Sequence, residues 1–276
     1  MIEELRKVVG ELLNERRPEL VEGLDGVVAL RGALSPSKGE SSEGAAPHLF
    51  RTGDDLAELV LTPKYPMASV VDLLQDADSD AKLGVVARGC DERALIELAK
   101  RQQVNLDNVR IIGIACSAEE AEECRCALPY PQNLVVGEKV EGVEDKLIAE
   151  HEALTRQERL EFWKRQFAKC LKCYGCRNAC PECFCEECVL EDELWAQTGV
   201  LPPPFPSFHV IRAMHTVGKC VGCGECERTC PADIPLTILY SLLRRDAMEL
   251  FGYEAGASVE DQPPLLVTLH EVPIRG

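Results

Sequence analysis

The sequence has no apolar run approaching the ~18 residues that a membrane-crossing helix needs, so a membrane span is not expected. Positive charge is in deficit: 30 Lys and Arg stand against 47 Asp and Glu, for a net charge of −17. Nucleic-acid binding requires a basic footprint, and the balance of this chain excludes it as a function class. An anionic membrane surface is disfavoured for the same reason. The simplest use of the acidity is solubility. No G-x-G-x-x-G occurs, so no dinucleotide fingerprint is present. The opening Met1-Ile-Glu-Glu-Leu-Arg-Lys is charged and lacks the apolar stretch of a secretory leader, which predicts a cytoplasmic protein. No nucleophile, triad or general acid–base pair stands out, so no catalytic residue is assigned.

Cysteine is what the chain has in excess: fifteen among 276 residues. In a cytoplasmic chain these are reduced ligands rather than disulfides. Two runs carry the argument. The first is Cys170-Leu-Lys-Cys173-Tyr-Gly-Cys176-Arg-Asn-Ala-Cys180-Pro181, and the second is Cys220-Val-Gly-Cys223-Gly-Glu-Cys226-Glu-Arg-Thr-Cys230-Pro231. Both are the C-x2-C-x2-C-x3-C-P pattern that holds a [4Fe–4S] cluster. The short spacing lets three thiolates of one loop reach three irons, and the proline stops the loop continuing as helix. In two-cluster ferredoxins the fourth Cys ligates the other cluster. The expectation is cluster I on Cys170, Cys173, Cys176 and Cys230, and cluster II on Cys220, Cys223, Cys226 and Cys180. Structural zinc is the competing reading. Zinc sites pair two Cys couples across a longer gap, and nothing in that scheme calls for the full run twice.

The length suits two domains, and 46% hydrophobic residues supply a core. Ile2, Leu5, Val8, Val9, Leu12 and Leu13 recur at helical spacing within residues 1–20, with Pro18 as an interruption. Strands are expected over 26–31, 82–88, 109–115 and 133–138. The third is almost continuously apolar, as a sheet buried on both faces requires. Residues 34–47 read as a polar Gly/Ser/Pro loop. Helices are expected over 54–60, 68–74 and 92–103, with Gly89-Cys90-Asp91 as a turn and Asp91 as an N-cap. Strand, turn and helix in succession form the α/β crossover pattern, in which ligands bind at the carboxyl ends of strands; Cys90 and Cys116 lie there. Further helices are expected over 208–217 and 234–250, with Pro235 in the first turn, and a short strand near 265–269. Together these give an α/β N-terminal domain (1–142), a helical connector (143–169), a mostly α-helical dicluster ferredoxin-type domain (170–256) and an extended tail (257–276).

Two further stretches are distinctive. One runs from Val86-Ala-Arg-Gly-Cys90-Asp-Glu-Arg-Ala-Leu into Ile111-Ile-Gly-Ile-Ala-Cys116. The other joins Pro47-His-Leu-Phe to Leu61-Thr-Pro-Lys-Tyr-Pro. They resemble the coenzyme F-420 hydrogenase/dehydrogenase beta-subunit family, which includes beta subunits of formate dehydrogenases. The double cysteine run is similar to the dicluster domain fused to many members and to the small subunit of heterodisulfide reductases. The resemblance implies passage of electrons between a flavin and single-electron clusters. It implies partners of two kinds: a flavoprotein or heterodisulfide-reductase-type subunit, and a formate dehydrogenase or hydrogenase module. It also implies a possible third [4Fe–4S] site on Cys90, Cys116, Cys124 and Cys126. Here that last pair is C-x-C, where the family has C-x2-C. FAD is left open, and the N-terminal domain is short for a full flavin and deazaflavin site.

Each remaining candidate has a plain alternative. Cys90 and Cys116 suit buried small hydrophobes. Cys183, Cys185 and Cys188 supply an extra cluster with a fourth ligand from elsewhere, or else displace Cys180 or Cys230. His48, His209 and His215 are more simply structural than cofactor neighbours. Lys219 and Arg228 either tune the second cluster or are solvated. Lys64 and Tyr65 contact a cofactor or merely form a turn, and Glu119-Glu-Ala-Glu-Glu is a solvated helix face. The reading is an iron–sulfur electron-transfer subunit of a cytoplasmic hetero-oligomeric oxidoreductase. The alternative is an FAD-containing beta subunit that itself exchanges electrons with a nicotinamide, a deazaflavin or another diffusible donor.

Overall fold

The computed structural model describes residues 1–14, 23–32 and 44–264. The expected interruption at Pro18, most of the 34–47 loop and the strand near 265–269 lie outside them. The chain forms two compact units: Met1–Ala121 with Leu128–Glu141, and Glu122–Ala127 with Gly142–Gly276.

The first unit opens with α1 (Ile2–Asn14), whose Leu5 and Val9 are fully buried. Then come β1 (Gly26–Gly32), β2 (Ala45–Phe50), a single 3-10 turn (Leu56–Glu58) and β3 (Leu59–Val60). Next are α2 (Met67–Ala77), β4 (Leu83–Ala87), α3 (Gly89–Lys100), β5 (Val109–Ile114), α4 (Ala118–Cys124) and β6 (Leu134–Val136). The strands make one mixed sheet in the order β2-β1-β4-β5-β6. β1, β4, β5 and β6 run parallel, β2 is the antiparallel edge, and β3 pairs antiparallel with the far end of β1. The purely apolar β4 is buried at every position, as a strand covered on both faces must be. Leu5 and Val9 join Val27, Phe50, Val86, Ile112, Ile114 and Val136 in one core. Helices α2 and α3 pack on β4 and β5 and bury Val71, Leu95 and Leu98. Gly113 is required: a Cβ there would meet the Asn133 carbonyl at 2.1 Å, so only glycine lets β6 approach.

Two expectations in this unit are corrected. Residues 54–60 are not a helix. Asp55 accepts the Ala57 N–H, one 3-10 turn forms, and Leu59 and Val60 are taken up by the sheet. Helix α3 begins at Gly89, not after Asp91, so Gly89-Cys90-Asp91 is its first turn. Arg88 stands at the N-cap, and the Asp91 carboxylate reaches back to accept the Arg88 and Met67 N–H groups, each at 3.0 Å. A carboxylate inside the first turn serves the unpaired N–H groups as well as one at the cap.

The second unit contains α5 (Lys146–Ala153), α6 (Arg156–Phe167), the one-turn α7 (Gly175–Asn178), a 3-10 turn (Val189–Glu191), α8 (Ser207–Thr216), the one-turn α9 (Glu225–Arg228) and α10 (Leu236–Phe251). Residues 143–169 therefore contribute α5 and α6 to this unit. A capping box starts α6: Thr155 Oγ1 accepts the Glu158 N–H, and the Glu158 carboxylate accepts the Thr155 N–H at 2.8 Å. Pro235 is the residue before α10 rather than part of its first turn, and Gly252 ends the helix at φ 64°. Phe167, Ala213, Ile234, Leu236 and Tyr240 form the core, with Cys226 among them and Cys170, Cys176, Cys220 and Cys230 packed against it.

Candidate functional site

The two cysteine runs fold into the same local structure. In each, the residues two and four places after the first Cys have positive φ: Lys172 (50°) and Tyr174 (57°), then Gly222 (68°) and Gly224 (77°). A one-turn helix follows at the same place, α7 in the first run and α9 in the second. The second loop uses glycine, which adopts this backbone freely. The first uses Lys and Tyr, which do so at a cost of order 1 kcal/mol or more each. Strained backbone of this kind is a mark of a site. The positive φ turns amides inward: Lys172 N donates to Cys170 Sγ at 3.4 Å, and the Gly222 N–H does the same for Cys220.

The sulfurs gather across the two loops. Burial pushes the Cys170 thiol up, and Cys176, Cys173 and Cys230 push it the same way. Burial likewise raises Cys220 and Cys226; Cys180 adds to both, and Cys220 adds to Cys226. Cys230 thus acts on a thiol of the first run and Cys180 on thiols of the second, while Cys176 of the first run also acts on Cys226. A buried apolar thiol is a poor anion unless a metal replaces its proton. Four sulfurs, inward N–H groups and an apolar surround make a donor set suited to an iron–sulfur cluster. Among the described residues, no three His, Cys, Asp or Glu side chains are grouped as a site for a single metal ion.

Arg212 of α8 lies at the heart of this arrangement. It is 5% exposed. Its Nη2 donates to the Cys176 carbonyl at 2.5 Å and its Nη1 to Cys183 Sγ at 3.4 Å, while the guanidinium stands 5.5 Å from the Tyr240 ring centre. A hydrogen bond from Cys183, with help from Arg212, holds the Cys180 thiol down at about 6; the Cys183 thiol is raised by the same bond and by burial. His209 stacks on Phe167 at 3.8 Å, and burial followed by the Arg212 charge lowers it to about 4. Beside the second loop, Gly218, Cys220, Ser241, Arg244, Arg245 and Tyr253 help line a cleft of about 250 Å³.

No protein-family model matches the sequence. Curated proteins do, two of them as follows. The F420-dependent formate dehydrogenase subunit beta of Methanocaldococcus jannaschii is 26% identical, over 88% of this chain and 89% of its own length. The F420-dependent formate dehydrogenase 1 subunit beta of Methanococcus maripaludis is 25% identical, again over 88% and 89%. The chain is a relative of these beta subunits. The first alignment extends over 346 positions, while 88% of 276 is about 243 residues, so roughly 100 positions face no residue of this chain. This relative of the beta subunits is therefore a shortened one internally.

The other cysteines lie outside these two runs. Cys90 sits in the first turn of α3 and is 8% exposed. Cys116 follows β5; its N–H donates to the Pro129 carbonyl at 2.8 Å, and its sulfur lies in the field of Arg88. Both belong to the first unit. Cys124 and Cys126 belong to the second, where Arg125 between them pairs with Asp145 at 3.3 Å and Glu227 at 2.5 Å. Cys188 packs with Leu190, Ala196 and Phe208 beside Arg177, and Cys185 is exposed.

His48 lies 3.6 Å from Asp54, and His215 is solvent-exposed. Lys219 lies 4.5 Å from the Phe184 ring centre, and Arg228 is paired with Glu225. Lys64 acts on the buried Asp91, and Tyr65 is exposed. Glu119, Glu122 and Glu123 face solvent, but Glu120 binds Arg88 at 2.6 Å. Sequence reasoning missed Arg212, Arg244 and Tyr240. A signal for Arg212 existed: it interrupts the buried stripe Phe208, His209, Ala213 and Thr216 of α8, and an Arg there needs a partner inside.

Proposed function

We propose that this chain is an iron–sulfur electron-transfer subunit of a multi-subunit oxidoreductase. It carries two [4Fe–4S] clusters, one on Cys170, Cys173, Cys176 and Cys230, and the other on Cys220, Cys223, Cys226 and Cys180. The observation that carries this is the repeated loop: matching left-handed positions, matching N–H groups on sulfur, and thiols exchanged between the loops. A bound [4Fe–4S] cluster stores and passes single electrons at a potential set by its surroundings. The chain supplies the thiolates, keeps water from the sulfurs through Phe167, Ile234 and Tyr240, and aims N–H groups at them. It follows that α7 and α9, which start on these loops, hold the geometry rather than form a substrate pocket.

The partner reading follows the relatives, whose names make them formate dehydrogenase subunits. We assign this chain to a hetero-oligomer with a formate dehydrogenase or hydrogenase module and a flavoprotein or heterodisulfide-reductase-type subunit. Anaerobic purification of the full chain tests the reading. About eight irons and eight labile sulfides per chain, at four of each per cluster, are expected. About twelve would add the quartet Cys90, Cys116, Cys124 and Cys126. Bound zinc without sulfide, or stoichiometric flavin with turnover of a diffusible donor, contradicts it.

A further inference from the structure

The positive charge around the two cysteine gatherings is unequal. We propose that Arg244 is a positioning residue that holds the one-electron potential of the cluster on Cys220, Cys223, Cys226 and Cys180 above that of the cluster on Cys170, Cys173, Cys176 and Cys230. This rests on the reading of the two gatherings as cluster sites.

Arg212 is buried and serves both gatherings: its Nη2 donates to the Cys176 carbonyl of the first, and its Nη1 donates to Cys183, three residues after Cys180 of the second. Arg244 lies flat against the second loop. A Cβ on Gly222 would come within 2.2 Å of its Nη1, so the glycine leaves room for the guanidinium beside Cys220. Arg244 and Cys220 line the same cleft. The second loop therefore has a guanidinium packed against it. The cations of the first loop point elsewhere: Lys172 Nζ donates to the Ala196 and Gln197 carbonyls, and Arg177 pairs with Glu191 at 2.6 Å.

Reduction adds one negative charge to a cluster. A nearby fixed cation favours that form, and more so where water is excluded. An electron shared between the two sites therefore resides at the second.

Potentiometric EPR of the anaerobically purified full chain is the test. Cys173→Ser and Cys223→Ser each perturb one site and so assign the signals. The signal perturbed by Cys223→Ser is expected at the higher midpoint. Arg244→Gln is expected to weaken reduction of that site by about tenfold, a shift of ~59 mV for a one-electron couple, and to leave the other midpoint in place. Arg244→Lys, which keeps the charge, is expected to retain most of the potential. Equal or inverted midpoints, or Arg244→Gln moving both signals alike or neither, overturn the inference when iron and sulfide remain at about eight per chain. A chain that binds no clusters overturns the underlying reading instead.

Discussion

At the residue scale, His209 illustrates how the buried surround reports on itself. It is neutral in the fold because burial and Arg212 lower it to about 4 from 6.5. A group whose folded pKa is depressed, and whose charged form is the protonated one, contributes stability that is present above pH 6.5 and lost as pH falls toward 4. Between pH 7.5 and pH 5 the loss is about 2 kcal/mol. His209→Phe keeps the stack on Phe167 without the titration. The difference in thermal midpoint between it and the natural chain is expected to grow in the variant's favour below pH 6.5; a pH-independent difference counts against this account. Gly222 makes a second test. Gly222→Ala places a Cβ at positive φ and against Arg244, and is expected to cost ~1–2 kcal/mol or more. Lys172→Gly at the equivalent place relieves the same backbone strain and is expected to leave the unfolding free energy within about 1 kcal/mol. If the two substitutions behave alike, the loops are not equivalent.

At the scale of elements, most of the sheet could be read in advance, for a physical reason. Strands such as Leu83–Ala87 are buried on both faces and so are apolar throughout. The 54–60 segment could not, because seven residues carry too little pattern to separate a turn and a strand from a helix. The start of α3 was displaced because Asp91 serves N–H groups from within the first turn rather than from the cap. The cysteine loops were visible because spacing alone encodes them. Arg212 was not, because a charged residue in a helix reads as solvated until its acceptors are known. The capping box of α6, which leads toward Cys170, offers a direct check: Thr155→Ala is expected to destabilise by about 1 kcal/mol, seen as a lower thermal midpoint, and Thr155→Ser to retain most of the stability.

On the scale of the whole molecule, the chain joins a sheet-based unit to a helical unit that holds eleven cysteines in addition to Cys124 and Cys126. No helix among the described residues is long and apolar enough to cross a membrane. Likeness to formate dehydrogenase beta subunits extends over 88% of the chain, despite the internal shortening. The central claim is that two loops with the same backbone cage a pair of paramagnetic centres. Spin quantitation by EPR on the dithionite-reduced, anaerobically purified chain tests it most directly. The account predicts about two spins per chain, broadened by mutual interaction because the two sets of thiols are interleaved. A diamagnetic protein with its iron replaced by zinc, or with those thiols in disulfides, would contradict it.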